Sequence, residues 1–176
     1  MPIAQNSGIV VDKYYLYPGD IFSNKTPHII DTVLGSCVSV FLWDAVLKFG
    51  SVNHYMLPHG SKGNSSFKYG SIAIPELLNR MQKMGSTKKN IRAKIFGGSD
   101  ISNTNNSFGI GKRNIGIASD LLKAENIPVI SFSVGGPLGR KVIFHSSTGN
   151  VLISYIKRDI KTINQQNTHF NFLENE

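Results

Sequence analysis

Residues 37–57 contain Cys37-Val38-Ser39-Val40-Phe41-Leu42-Trp43 and, after the short connection Asp44–Lys48, Phe49-Gly50-Ser51-Val52-Asn53-His54-Tyr55-Met56-Leu57. Both runs are rich in β-branched and aromatic side chains, and the connection is too short for anything but a turn. This spacing predicts a β-hairpin. Upstream, Lys13–Tyr17 and His28–Leu34 have the same strand-like composition and flank the turn signal Pro18-Gly19-Asp20. Downstream, Pro58–Lys68 is glycine- and serine-rich and reads as a loop. A helix is expected from a cap at Ser71 to about Met84, because Ile74, Leu77, Leu78 and Met81 recur at helical spacing. Pro75 falls near its first turn and Gly85 stops it. A second helix covers Lys112–Glu125, with Ile115, Ala118, Leu121 and Leu122 inward, before Pro128 forces the chain to extend. Further strands are read at Ile91–Phe96, ending in Gly97-Gly98, and at Val129–Val134, ending in Gly135-Gly136. A last hairpin joins Lys141–His145 to Val151–Ile156 around Ser146–Asn150. Many short strands with two interposed helices predict an α/β (α+β) sandwich: mixed, largely antiparallel sheet layers with two main helices in a single domain.

The 176 residues fit one domain. With 40% hydrophobic and 17% charged residues the chain can bury a core, which excludes a disordered protein. No apolar run approaches the ~18–20 residues that cross a bilayer. Met1–Asn6 has neither the basic head nor the apolar block of a secretory signal. Cys37 is the one cysteine, so an intrachain disulfide and a thiolate-only metal site are both excluded. These features lead to the expectation of a soluble cytoplasmic protein. The net charge of +8 favours acidic partners. Its clusters, Lys83 to Lys94 and Lys157, Arg158 and Lys161, are discontinuous and lack any nucleic-acid-binding motif. A solvated basic face is therefore the expectation, with no nucleic acid bound. Residues 159–176 are polar until Phe170 and Phe172 and read as a tail that frays or docks weakly.

The chemistry centres on Thr32-Val33-Leu34-Gly35-Ser36-Cys37. The thiol follows Gly-Ser at a break between two apolar strands, where exposed N–H groups can form an oxyanion hole. Seventeen residues on stands His54. In the predicted hairpin, any register whose paired numbers add to an odd total puts Cys37 and His54 on one face, and a total of 91 would set them directly opposite. An adjacent imidazolium lowers a cysteine pKa from ~8.5 toward ~3.5–7.5 and so populates the attacking thiolate at neutral pH. The bland alternative is a cysteine serving as a small core hydrophobe and a structural histidine. His28, His59, His145 and His169 lie at strand ends, in a loop or in the tail, and no spacing suits a zinc site. Gly97-Gly98 and Gly135-Gly136 read first as strand terminators and second as walls of a substrate cleft.

Thr32–Val40, Asn53-His54 with Met56-Leu57-Pro58, Ala93–Gly98, Ile110-Gly111-Lys112-Arg113-Asn114, Gly135-Gly136, Arg140, Thr148-Gly149 and Tyr14–Asp20 together resemble the chemoreceptor glutamine deamidase family, CheD. The ordered set spans roughly residues 13–158, which defines a CheD-like domain over 1–158 and leaves 159–176 as the tail. The resemblance implies a protein-glutamine glutaminase that converts glutamines of methyl-accepting chemotaxis receptors to glutamates during adaptation. It implies no metal or organic cofactor, Cys37 as nucleophile and His54 as general base. The third catalytic member would be Thr32, with Asp31 occupying the position that threonine takes in some members. It also implies an alternative, non-catalytic role as an adaptor that binds receptors and a CheC-type CheY-phosphate phosphatase.

Overall fold

The hairpin read from residues 37–57 forms the centre of a sheet. The computed structural model describes residues 11–100 and 109–156. The readings placed on Met1–Asn6, on the Lys157–Lys161 cluster and on the tail with His169, Phe170 and Phe172 lie outside them. The strands are β1 (Asp12–Tyr15), β2 (Ile21–Asn24), β3 (His28–Leu34), β4 (Val38–Asp44), β5 (Phe49–Asn53), β6 (Ile91–Gly97), β7 (Val129–Val134), β8 (Arg140–His145) and β9 (Val151–Tyr155). The helices are α1 (Gly70–Lys83) and α2 (Ile110–Ala124). One sheet has the order β2-β5-β4-β6-β7 and the other β1-β3-β8-β9. The β1–β3 and β6–β7 pairs are parallel and the other pairs antiparallel, so the sheets are mixed, as expected of an α+β protein.

Strand alternation sorts the layers. On one side of β4, Val38, Val40 and Leu42 pack with Ala73, Leu77 and Met81 of α1 and with Ala118 and Leu122 of α2. On the other, Phe41 packs with Leu16, Ile30, Val142 and Phe144 around the four-stranded sheet. The five-stranded sheet is therefore the middle layer, which explains why β4 is an almost unbroken apolar run. Phe41 lies edge-on to Phe96 and Phe144, with ring centroids 5.2 and 5.1 Å apart, and pins the two sheets together. No helix among the described residues is long and apolar enough to cross a membrane.

Three local expectations are corrected. β2 is a strand where the sequence offered only the end of a turn; of its four residues only Phe22 is buried, and pairing with β5 defines it. Ser71 is not the cap of α1. The helix begins at Gly70 after Tyr69, and the carbonyls of Leu57 and Pro58 accept the first amides, Gly70 and Ser71, at 2.8 and 2.9 Å. The strand expected to run to Leu57 ends at Asn53, with isolated bridges beyond it from Tyr55 to Val38 and from Leu57 to Tyr69. There the Asn53 side-chain Oδ1 accepts the Val40 amide at 2.9 Å in place of a main-chain carbonyl.

Truncating Phe41, which is 1% exposed, to alanine should cost about 3–5 kcal/mol, seen as a lower urea midpoint at unchanged slope. Phe132→Ala, at a position 70% exposed on β7, should change stability by less than about 0.5 kcal/mol. Equal losses at both sites would contradict the layer assignment.

Candidate active site

The chain leaves the four-stranded sheet at Leu34 and enters the five-stranded sheet at Val38. Gly35, Ser36 and Cys37 make that crossing, so the half-buried thiol sits at the seam between the sheets. The end of β6 holds the crossing in place: Gly98 N–H donates to the Cys37 carbonyl and Ser99 N–H to the Gly35 carbonyl, both at 2.8 Å. Gly97 is required here. Its φ is +108°, and a Cβ would stand 2.2 Å from the Cys37 carbonyl oxygen.

His54 is fixed at its backbone by the turn before β2. Its amide donates to the Asp20 carbonyl at 3.0 Å, and its carbonyl accepts the Gly19 amide at 2.7 Å. Paired residues of β4 and β5, from Phe41–Val52 to Asp44–Phe49, total 93, and the Val38–Tyr55 bridge keeps that register. By extension Ser39 stands opposite His54, and Cys37 is its diagonal neighbour on the same face. That face looks toward the four-stranded sheet, where Thr32 of β3 is 1% exposed. The Thr32 hydroxyl donates to the Leu16 carbonyl at 2.8 Å and lies 2.9 Å from His54 Nδ1. A hydroxyl has one hydrogen. With that hydrogen on Leu16, the Thr32 oxygen accepts from Nδ1–H, and the unprotonated nitrogen is Nε2. Nε2 is buried and has no hydrogen-bond partner among the described residues. Asp31 points the other way along β3, as strand alternation demands, and its carboxylate pairs with Lys141 at 3.5 Å. Geometry thus puts Thr32, and not Asp31, on the imidazole.

Burial pushes the Cys37 thiol up, only partly offset by its own backbone amide leaning toward the sulfur. Burial also lowers the His54 imidazole, against smaller opposing effects of the Leu16 backbone and the Asp20 charge. Both directions favour a neutral thiol beside a neutral imidazole. For each of the two groups, burial is the largest of the influences on its protonation. The site thus holds an imidazole whose Nε2 has no hydrogen-bond partner among the described residues.

Beside the crossing lies a cavity of about 490 Å³, with Ser36, Gly98, Ser99, Gly111, Lys112 and Gly136 in its wall. Gly97, Gly98, Gly135 and Gly136 all have positive φ, which suits strand terminators, and three of the four line this cavity. Arg140 is the residue whose part the sequence did not reveal. It is 2% exposed, and its guanidinium donates to the carbonyls of Gly97, Ser133 and Gly135 and to Ser99 Oγ, tying both glycine turns to β8. A basic residue opening an amphipathic strand gives no warning of burial. His28 binds the Thr26 carbonyl and His145 ends β8, both away from Cys37. Among the described residues no three His, Cys, Asp or Glu side chains gather to hold a metal ion.

The fold is a helix-covered α+β sandwich with a cysteine at the seam of its sheets and, on the same face, an imidazole held by a threonine hydroxyl, residue types that hydrolases of the acyl-transfer class employ. The chain belongs to the CheD family. The family model described as CheD chemotactic sensory transduction matches residues 56–155. A probable chemoreceptor glutamine deamidase CheD of Sulfurimonas denitrificans is 37% identical over 150 residues, covering 84% of this chain and 96% of that protein. Those of Trichlorobacter lovleyi and Methanococcus vannielii are 39% and 41% identical over 153 and 138 residues, covering 86% and 77% of this chain and 95% and 90% of theirs.

NMR of the labelled imidazole should find His54 neutral at pH 7, protonated at Nδ1, and titrating below the ordinary ~6.5. Thr32→Val should abolish the preference for the Nδ1–H tautomer. Protonation of Nε2 in the wild-type protein at pH 7 would contradict the assignment.

Proposed function

We propose that this chain is a protein-glutamine deamidase acting on methyl-accepting chemotaxis receptors, with Cys37 as nucleophile, His54 as general base and acid, and Thr32 as the residue that orients it. The observation that carries the reading is the Thr32–His54 bond, which leaves the Nε2 lone pair on the face shared with Cys37. The likeness to proteins named chemoreceptor glutamine deamidase supplies the substrate class. The reaction needs no metal or organic cofactor and would take place in the cytoplasm, at the cytoplasmic part of the receptors.

In the first half-reaction Nε2 takes the Cys37 proton as sulfur adds to the glutamine side-chain carbonyl carbon. The oxyanion is met by the Cys37 N–H, which lies beside the sulfur. His54 returns the proton to the departing nitrogen, ammonia leaves, and a thioester remains. In the second half-reaction Nε2 takes a proton from water, hydroxide adds to the thioester, and the C–S bond breaks with return of the proton to sulfur. Glutamine and water have become glutamate and ammonia. Because burial favours neutral partners, the proton moves with the attack and is not displaced beforehand. A net charge of +8 favours association with acidic surfaces in a salt-dependent way. The alternative reading, an adaptor for a CheC-type phosphatase, differs in one outcome: phosphatase capture would survive Cys37→Ala while receptor glutamines stay intact with the wild-type protein.

Peptide mass analysis of a receptor cytoplasmic fragment should register a gain of Glu at selected Gln positions with the wild-type protein and none with Cys37→Ala. Thr32→Val should lose about 10–100-fold in kcat, Thr32→Ser most of that loss restored, and Asp31→Ala little, since its partner is Lys141. The acid limb of kcat/KM should fall below the ordinary histidine range, because a base whose pKa is lowered stays unprotonated to lower pH. Full activity in Cys37→Ala would eliminate the mechanism.

A further inference from the structure

The buried face of α2 carries Gly111, Ala118 and Leu122, and among them a polar side chain, Asn114, with no solvent exposure. Asparagine is a poor helix former, up to ~0.7 kcal/mol worse than alanine, and an amide costs further free energy to desolvate. Its bonds account for its place. Nδ2 donates one hydrogen to the Ser36 carbonyl at 3.0 Å and the other to the Met56 carbonyl at 2.9 Å. The backbone carbonyl of Asn114 accepts the Tyr55 hydroxyl, a phenol whose pKa burial pushes up and which therefore donates as a neutral group. Helix α2 can come this close because Gly111 lies against the end of β6, where a Cβ would stand 2.4 Å from the Gly98 carbonyl oxygen.

The Ser36 carbonyl belongs to the same peptide group as the Cys37 N–H. In a trans peptide these two point in opposite directions, so gripping the oxygen aims the hydrogen. Met56 lies two residues beyond His54, directly after the isolated Val38–Tyr55 bridge. One side-chain amide thus joins the peptide that precedes the thiol to the segment that bears the base.

We infer that Asn114 is a positioning residue of the reaction: its amide sets the plane of the Ser36–Cys37 peptide so that the Cys37 N–H meets the oxyanion formed on sulfur attack. The inference rests on the Cys37 chemistry proposed above, and two reagents separate the two claims. Acylation of Cys37 by p-nitrophenyl acetate passes through a tetrahedral oxyanion, whereas alkylation by iodoacetamide displaces iodide at a saturated carbon and forms none. Both can be followed on the one thiol of this chain. Asn114→Ala should slow acylation about tenfold, less than the ~10²–10³ for loss of a donor itself, and leave alkylation within about twofold of wild type. On a receptor fragment the same variant should lose kcat at nearly unchanged KM. Tyr55→Phe, which keeps both amide donors, should preserve the ratio of the two rates. If Asn114→Ala does not yield folded protein, Asn114→Ser takes its place, with an expected loss of about threefold in the ratio. An unchanged ratio in the folded variant, whether both rates hold or both fall together, overturns the inference and makes Asn114 a packing residue. A lowered ratio with a receptor fragment that even the wild type leaves unmodified sustains the role of Asn114 and removes the receptor as substrate.

Discussion

The hydrogen of a single hydroxyl decides what this site can do. Thr32 belongs to one sheet and His54 directly follows β5 of the other, so the bond between them ties the two sheets together, as do the bonds of Arg140 to Gly97 and Ser133. The Leu16 carbonyl claims the Thr32 hydrogen, so the threonine can only accept from the imidazole. One nitrogen is thereby saturated and the other left basic. Were the hydroxyl free to rotate, the two tautomers would compete, and Nε2 would be protonated part of the time just where a base is wanted. Packing of the sheets around Phe41, Phe96 and Phe144 is what keeps β3 close enough to the end of β5 for this bond to exist.

The same interface sets the electrostatics. Sulfur and imidazole lie at the edge of a core, and desolvation moves both pKa values toward neutrality. A resting ion pair would need solvent or fixed charge around it, and the nearest acidic influence on His54, Asp20, is a lesser contribution than burial. Burial at the seam thus favours the uncharged form of both the thiol and the imidazole. Backbone carbonyls and amides make most of the bonds that hold the crossing in place. Gly98 and Ser99 donate to the crossing, and Arg140 grips the carbonyls of the two glycine turns from behind.

Much of this was legible from residue order. The β4–β5 hairpin, the helical faces around Leu77 and Ala118, and the strands before each glycine pair followed from periodicity and turn chemistry, because those signals are local. The chemical candidates were legible too, since a lone cysteine after Gly-Ser and a histidine on a facing strand stand out in composition. β2 escaped notice because four residues with one buried side chain carry no period, and the start of α1 was misplaced because its amides are satisfied by the Leu57 and Pro58 carbonyls and not by a side chain in the sequence window.

Local order thus determined an α+β protein with Cys37 and His54 as the residues of interest, and the resemblance to the CheD family added Thr32 or Asp31. Tertiary structure alone decided between the last two, because the answer depends on which face of β3 meets the other sheet: Thr32 turns inward to the imidazole and Asp31 outward to Lys141. It also set the hairpin register, the burial that raises the Cys37 thiol and lowers the His54 imidazole, and the bonds of Arg140 and Asn114. Each of these is a relation between segments far apart in the chain, fixed by packing and by the demand that buried polar groups find partners, and no window of neighbouring residues encodes it.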